Sequence, residues 1–219
     1  MVLRRSAVWV YGVVMSLVAA AHGAVPGFVE DFNDGTTGTF FSQADLTPIP
    51  SGGVGGTGDG FLQISRDVPD FLGAATSSPN FTGDLLADGV TGFSFWLNDV
   101  GASQDFEIHV GVGQAQSNFW LSIDGFTPPE NGWAEFSVDI TDPSGWVQTQ
   151  GAGTFEDAIA ASNRLLFRHD LPPLIFFPDA IAGDLGLDRV TVLPEPGSLS
   201  LLIIGGAIAL RSRRRGLRR

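Results

Sequence analysis

Hydrophobic and polar residues alternate with a period of two in several stretches of this chain. Phe93, Phe95 and Leu97 share one face, with Ser94 and Trp96 on the other. Phe106, Ile108, Val110 and Val112 alternate with Glu107, His109 and Gly111. Phe119, Leu121 and Ile123 alternate with Trp120 and Ser122. Ala134, Phe136, Val138 and Ile140 alternate with Glu135, Ser137 and Asp139. Successive side chains of a strand point to opposite faces, so each stretch predicts a half-buried strand with its apolar set toward a core. Weaker patterns predict strands at Phe28–Phe32, Phe61–Ser65, Arg164–Arg168 and Asp188–Leu193. The links carry turn residues: Asn98-Asp99, Asp124-Gly125, Asn131-Gly132 and Asp142-Pro143-Ser144-Gly145.

One helix is expected. Thr154 can cap it, Asp157 stands at the capping-box position, and the helix runs from Phe155 to about Ala161. About eight strands and a single short helix predict an all-β fold, a jelly-roll-like β-sandwich.

Two apolar stretches do not alternate. Arg4 and Arg5 precede an almost unbroken run from Ala7 to Ala21, which ends in Ala21-His22-Gly23. A charged start, an apolar stretch and small residues at the −3 and −1 positions form a secretory signal peptide, residues 1–23. At the other end, Pro194-Glu195-Pro196 precedes an uncharged segment from Gly197 to Leu210 and arginines 211, 213, 214, 215, 218 and 219. As a helix that segment spans about 21 Å, against a hydrocarbon core of about 30 Å. It is a short transmembrane segment whose arginines stay cytoplasmic. The expected organisation is therefore signal peptide 1–23, β-sandwich 24–193 and tail 194–219.

Charge sharpens this. All twelve basic residues are arginine, and eight of them lie in the two ends. The segment 24–193 holds four arginines and 23 acids, a formal charge of −19. Such a surface repels nucleic acid. There is no cysteine, hence no disulfide, no thiolate zinc ligand and no thiol nucleophile.

The tail resembles the sorting signal of the PEP-CTERM proteins of Gram-negative bacteria. Pro194, Glu195, Pro196, the apolar run and the terminal arginines carry the resemblance. It implies recognition by a membrane-embedded exosortase and cleavage near Pro-Glu-Pro. It also implies export across the inner membrane, transient anchoring, and release to the cell surface or extracellular matrix. A Gram-positive sortase signal would need threonine where Pro196 stands. Arg164-Leu165-Leu166-Phe167 followed by Gly186-Leu187-Asp188-Arg189-Val190 resembles the closing strands of PEP-CTERM ectodomains, which carry asparagine where this chain has Arg189.

Candidate chemistry is sparse. Gly53-Val54-Gly55-Gly56-Thr57-Gly58 matches G-x-G-x-x-G, but no strand precedes it and no helix follows, so it reads as a loop. Glu30, Asp31, Asp34 and Asp188 are the oxygen donors a structural calcium ion would use if the first and last strands lie together; the alternative is a solvated acidic turn. Trp96 and Trp120 fall on polar-rich faces, where flat aromatics can hold sugar rings; the alternative is that a loop or second sheet covers them. His109 and His169 lack metal-ligand spacing, and there is no nucleophile elbow. The expectation is a non-catalytic surface or matrix protein, sorted by an exosortase and associated with exopolysaccharide. A lectin-like carbohydrate-binding module is the alternative, and a glycosidase ranks below both.

Overall fold

The computed structural model describes residues 23–101 and 105–196. Twelve strands form two antiparallel sheets that face each other. The first sheet contains β1 (Val29–Glu30), β3 (Asp45–Ile49), β4 (Phe61–Asp70), β6 (Val90–Val100), β9 (Ala134–Asp139) and β12 (Ile181–Pro194). Its order is β3-β4-β12-β6-β9, with β1 paired to β12. The second contains β2 (Phe40–Phe41), β5 (Gly73–Thr76), β7 (Ile108–Gln114), β8 (Asn118–Ser122), β10 (Trp146–Gly151) and β11 (Arg164–His169), in the order β10-β8-β7-β11-β5-β2. The all-β sandwich with one short helix matches the sequence expectation.

The core follows the alternation. Phe93, Phe95 and Leu97 of β6 are fully buried, as are Ile108, Val110 and Val112 of β7 and Leu165 and Phe167 of β11. Phe95 and Phe167 meet edge to face across the sandwich at 4.9 Å, the offset geometry that aromatic pairs prefer. The helix α1 (Phe155–Ala160) has the expected capping box. Thr154 Oγ1 accepts from the Asp157 amide at 3.1 Å, and Asp157 Oδ2 accepts from the Thr154 amide at 3.4 Å. It buries Phe155, Ala158 and Ile159.

Strand β12 carries a bulge. Leu185 and Leu187 point inward, and so do Val190 and Val192, although strict alternation would turn the second pair outward. The register shifts between Asp188 and Thr191, and Arg189 adopts φ +46°. One extra residue restores the inward face. The side chain of Asp188 is fully buried at this kink.

Among the described residues, no helix is long and apolar enough to cross a membrane. The signal peptide through His22 and the tail from Gly197 onward lie outside the described residues.

Candidate functional site

The second sheet is apolar on both faces, which alternation alone does not reveal. Behind the core-facing residues runs a row on the opposite face: Phe41, Ala75, Leu166, Gly111, Leu121 and Val147, in register across six strands. The small Ala75 and Gly111 alternate with the larger Phe41, Leu166 and Leu121 along it and leave hollows. Phe119 fills one of them by lying over Gly111, whose absent Cβ would stand 2.7 Å from the Phe119 ring. Phe119 and Leu121 were expected in the main core. They belong instead to a second cluster on this outer face, with Ala75 and Leu166.

A strap runs over one side of this face, from Asp170 to Ala180 between β11 and β12. Leu174 packs on the second cluster. Arg168, 5% exposed, ties the strap down. Its guanidinium donates to the Phe176 carbonyl at 3.0 Å and to Asp170, which is also buried. Asp170 Oδ1 accepts from the amides of Leu171 and Asp179, each at 3.2 Å. Burial pulls the Arg168 pKa below its ordinary value, while Asp170 and Asp179 oppose the shift.

Floor and strap enclose an open cleft of ≈ 660 Å³, within the range of small-molecule and sugar sites. Phe41, Phe176 and Phe177 line it and are 45%, 49% and 72% exposed. Phe176 and Phe177 meet edge to face at 4.7 Å. Arg164 stands on the floor with its Cζ 5.3 Å from the Phe41 ring centroid. Asp70 lines the cleft, 3.8 Å from Arg66.

The expected aromatic pair is not brought together. Trp96 lies in the first sheet and Trp120 in the second. Trp120 sits opposite Val112 on the inward face, 5.6 Å from the Phe155 ring, and its Nε1 donates to Asn118. The helix, a second layer, is what covers it. Sequence reasoning missed the cleft aromatics. The visible signal was Leu174-Ile175-Phe176-Phe177, an apolar run between Pro173 and Pro178 with no period.

The four acids proposed for calcium do not form one donor set. Among the described residues no group of three or more acidic or histidine side chains is arranged to hold a metal ion. Asp188 receives the amides of Val54 at 2.9 Å and Arg189 at 2.7 Å, and so anchors the glycine-rich loop to β12. Burial raises its pKa to about 6, with those two amides opposing. Glu30 is also raised by burial, and Asp34 and Asp31 add like-charge repulsion. Asp34 is lowered by hydrogen bonds from Thr36. His109 lies on β7 and His169 on its neighbour β11, and both serve structure. Nδ1 of His109 meets the Ser122 carbonyl at 2.8 Å, and Nδ1 of His169 accepts the Glu107 amide at 3.2 Å. Pro194 closes β12 beside Val90, and the Glu195 amide donates to the Gly89 carbonyl. Glu195 and Pro196 are exposed.

No known protein family and no curated protein matches this sequence. Solved structures do match its fold. A family 11 carbohydrate-binding module from Clostridium thermocellum, in complex with a β-1,3-1,4-mixed-linked tetrasaccharide, superposes with a TM-score of 0.51 at 14% identity, over 79% of this chain and 98% of that one. The family 11 module of a cellulosomal cellulase from the same organism gives 0.52 at 15% identity, over 78% and 96%. An exo-β-agarase gives 0.56 at 11% identity, over 78% of this chain and 25% of that one. The likeness is one of fold: the described chain is a two-sheet jelly-roll sandwich of the kind those carbohydrate-binding modules adopt.

Proposed function

We propose that this domain is a non-catalytic polysaccharide-binding module and that the cleft on the outer face of the second sheet is its binding surface. The observation that carries the reading is the exposure of Phe41, Phe176 and Phe177 around one open cleft. An exposed aromatic face supplies an apolar platform for a sugar ring, and neighbouring polar groups fix its orientation. The solved modules of the same fold, one of them in complex with a β-1,3-1,4-mixed-linked tetrasaccharide, support this reading. Binding is tested by affinity electrophoresis of the purified protein in gels containing mixed-linkage β-glucan, xylan, agarose or anionic polysaccharides. At least one polymer should retard it. Phe177→Ala and Phe41→Ala should each weaken retention about tenfold, equivalent to about 1.4 kcal/mol. Retention unchanged in both variants would remove the cleft from consideration.

The tail completes the proposal. An exported module carrying an exosortase signal at Pro194-Glu195-Pro196 is delivered to the cell surface or matrix, where exopolysaccharide is its partner. The exposed Glu195 and Pro196, just past the end of β12, suit access by a processing enzyme. Mass spectrometry of protein from the native host should find a new C-terminus near Pro196. An intact Arg219 on the released protein would count against processing.

A further inference from the structure

We infer that the polysaccharide recognised by this cleft is anionic, carrying a carboxylate or sulfate on its sugar rings, and that Arg164 is the residue that holds the charge. The inference rests on the polysaccharide-binding reading and adds the chemical class of ligand.

Four arginines serve the described residues, and the acids outnumber them six to one. Three of the four are ion-paired: Arg66 with Asp70, Arg168 with Asp170 and Arg189 with Asp59. In so acidic a domain that is the expected fate of a cation. Arg164 is the exception. It is half-buried on the cleft floor, has no ion pair, and its Nε is buried without a hydrogen-bond partner among the described residues. Arg168 lines the same cleft, and its Nε is likewise buried and unpartnered. The Arg164 guanidinium stands over the Phe41 ring, 5.3 Å from its centroid and within cation–π range. Buried donors are normally satisfied, and a guanidinium is matched by the two oxygens of a carboxylate or sulfate.

Position strengthens the case. A second, more polar depression of ≈ 460 Å³ adjoins the cleft, lined by Ser77, Thr82, Gln116 and Asn163. Arg164 and Ala115 belong to both hollows. A polymer lying across the sheet would pass from the phenylalanine platform over Arg164 into a polar groove, with one charged substituent seated at the junction. Asp70 is the acid that lines the cleft, and its carboxylate is engaged by Arg66 and the Phe71 amide. The −19 surface elsewhere repels polyanions, so retention by one would report a specific site.

The test titrates purified wild-type protein, Arg164→Gln and Arg164→Lys with polygalacturonate, its methyl ester, a sulfated galactan, mixed-linkage β-glucan and xylan. Wild type should bind polygalacturonate or the sulfated galactan, and which of the two it prefers identifies the anion. Binding should weaken as salt rises. The methyl ester, which lacks the charge, should not bind. Arg164→Gln should lower affinity for the anionic polymer roughly tenfold or more, the usual scale of a hydrogen bond to a charged group. Arg164→Lys, which keeps the charge and most of the stem, should recover part of it. Matched melting temperatures separate loss of binding from loss of fold. Binding to neutral polymers alone overturns the inference and leaves the polysaccharide-binding reading intact. Anionic binding that Arg164→Gln leaves unchanged also overturns it. Absence of binding to every polymer removes both.

Discussion

Arg168→Met should release the strap that carries Phe176 and Phe177. Methionine keeps an unbranched stem over the floor and deletes the guanidinium. Three acceptors then lose their donor: Asp170 and the carbonyls of Ile175 and Phe176. Asp170, 1% exposed, is left as a buried carboxylate with only the Leu171 and Asp179 amides. Breaking a buried ion pair from one side costs about 3–5 kcal/mol, against a total stability of about 5–15 kcal/mol for a domain. The chain has a cheaper escape, because the strap is a loop and can lift away to hydrate Asp170. Urea unfolding would then show less than the full loss, while amide exchange across residues 171–180 accelerates sharply. Asp170→Asn in the same background removes the stranded charge and should recover at least about half of the loss, giving a coupling of about 1.5 kcal/mol or more. Polysaccharide retention should fall in the single variant, since two of the three platform rings ride on the strap. If the two single losses add to within about 0.5 kcal/mol, or if strap exchange is unchanged, the pair is not what holds the strap.

Three further outcomes are expected. Asp188 has its pKa raised from 3.8 to about 6, so the folded state binds the proton more tightly than the unfolded chain. Its contribution is therefore full at low pH, fades as pH rises from about 4 to 6, and leaves wild type on the order of 3 kcal/mol worse off at neutral pH than at pH 3. Asp188→Asn should remove that slope from urea-derived stabilities, and an identical slope in both proteins would show that another group produces it. Thr154→Ala should cost about 1 kcal/mol in thermal or urea unfolding through loss of the α1 cap. Phe95→Ala, at the ring that joins the two sheets, should cost about 3–5 kcal/mol in the same measurement.

Period-two alternation located β6, β7, β8 and β9 because each has one face in the main core, and the Thr154–Asp157 spacing located α1 because capping is local. Alternation says which residues share a face, not which face is inside. In β8 that ambiguity mattered: Phe119 and Leu121 look like the core set, yet Trp120 occupies that side and they join the outer cluster, where Phe119 lines the cleft. Four strands escaped notice for related reasons. β2 is two residues long, β3 contains a proline, β5 is Gly-Ala-Ala-Thr, and β10 has glutamines and a threonine after Trp146. Each is defined by the neighbours it pairs with more than by its own pattern, as expected when strand propensity depends on context. The bulge at Arg189 is a further case, since the inserted residue breaks the alternation that identifies the strand.

The candidate site was less legible than the fold, and its parts show why. Phe41, Ala75, Leu166, Gly111, Leu121 and Val147 form one row only because five strand pairings align them. No local spacing encodes that register. The status of each arginine is equally nonlocal. Arg189 finds Asp59 from 130 residues away, whereas Arg66 and Arg168 find acids within four residues. From sequence, Arg164 looks no different from the others in a chain so rich in acids. Only the folded sheet shows that it stands on an aromatic-lined floor and, of the four arginines among the described residues, is the one without an ion pair there, and that is a property of the register, not of any residue near it in the chain.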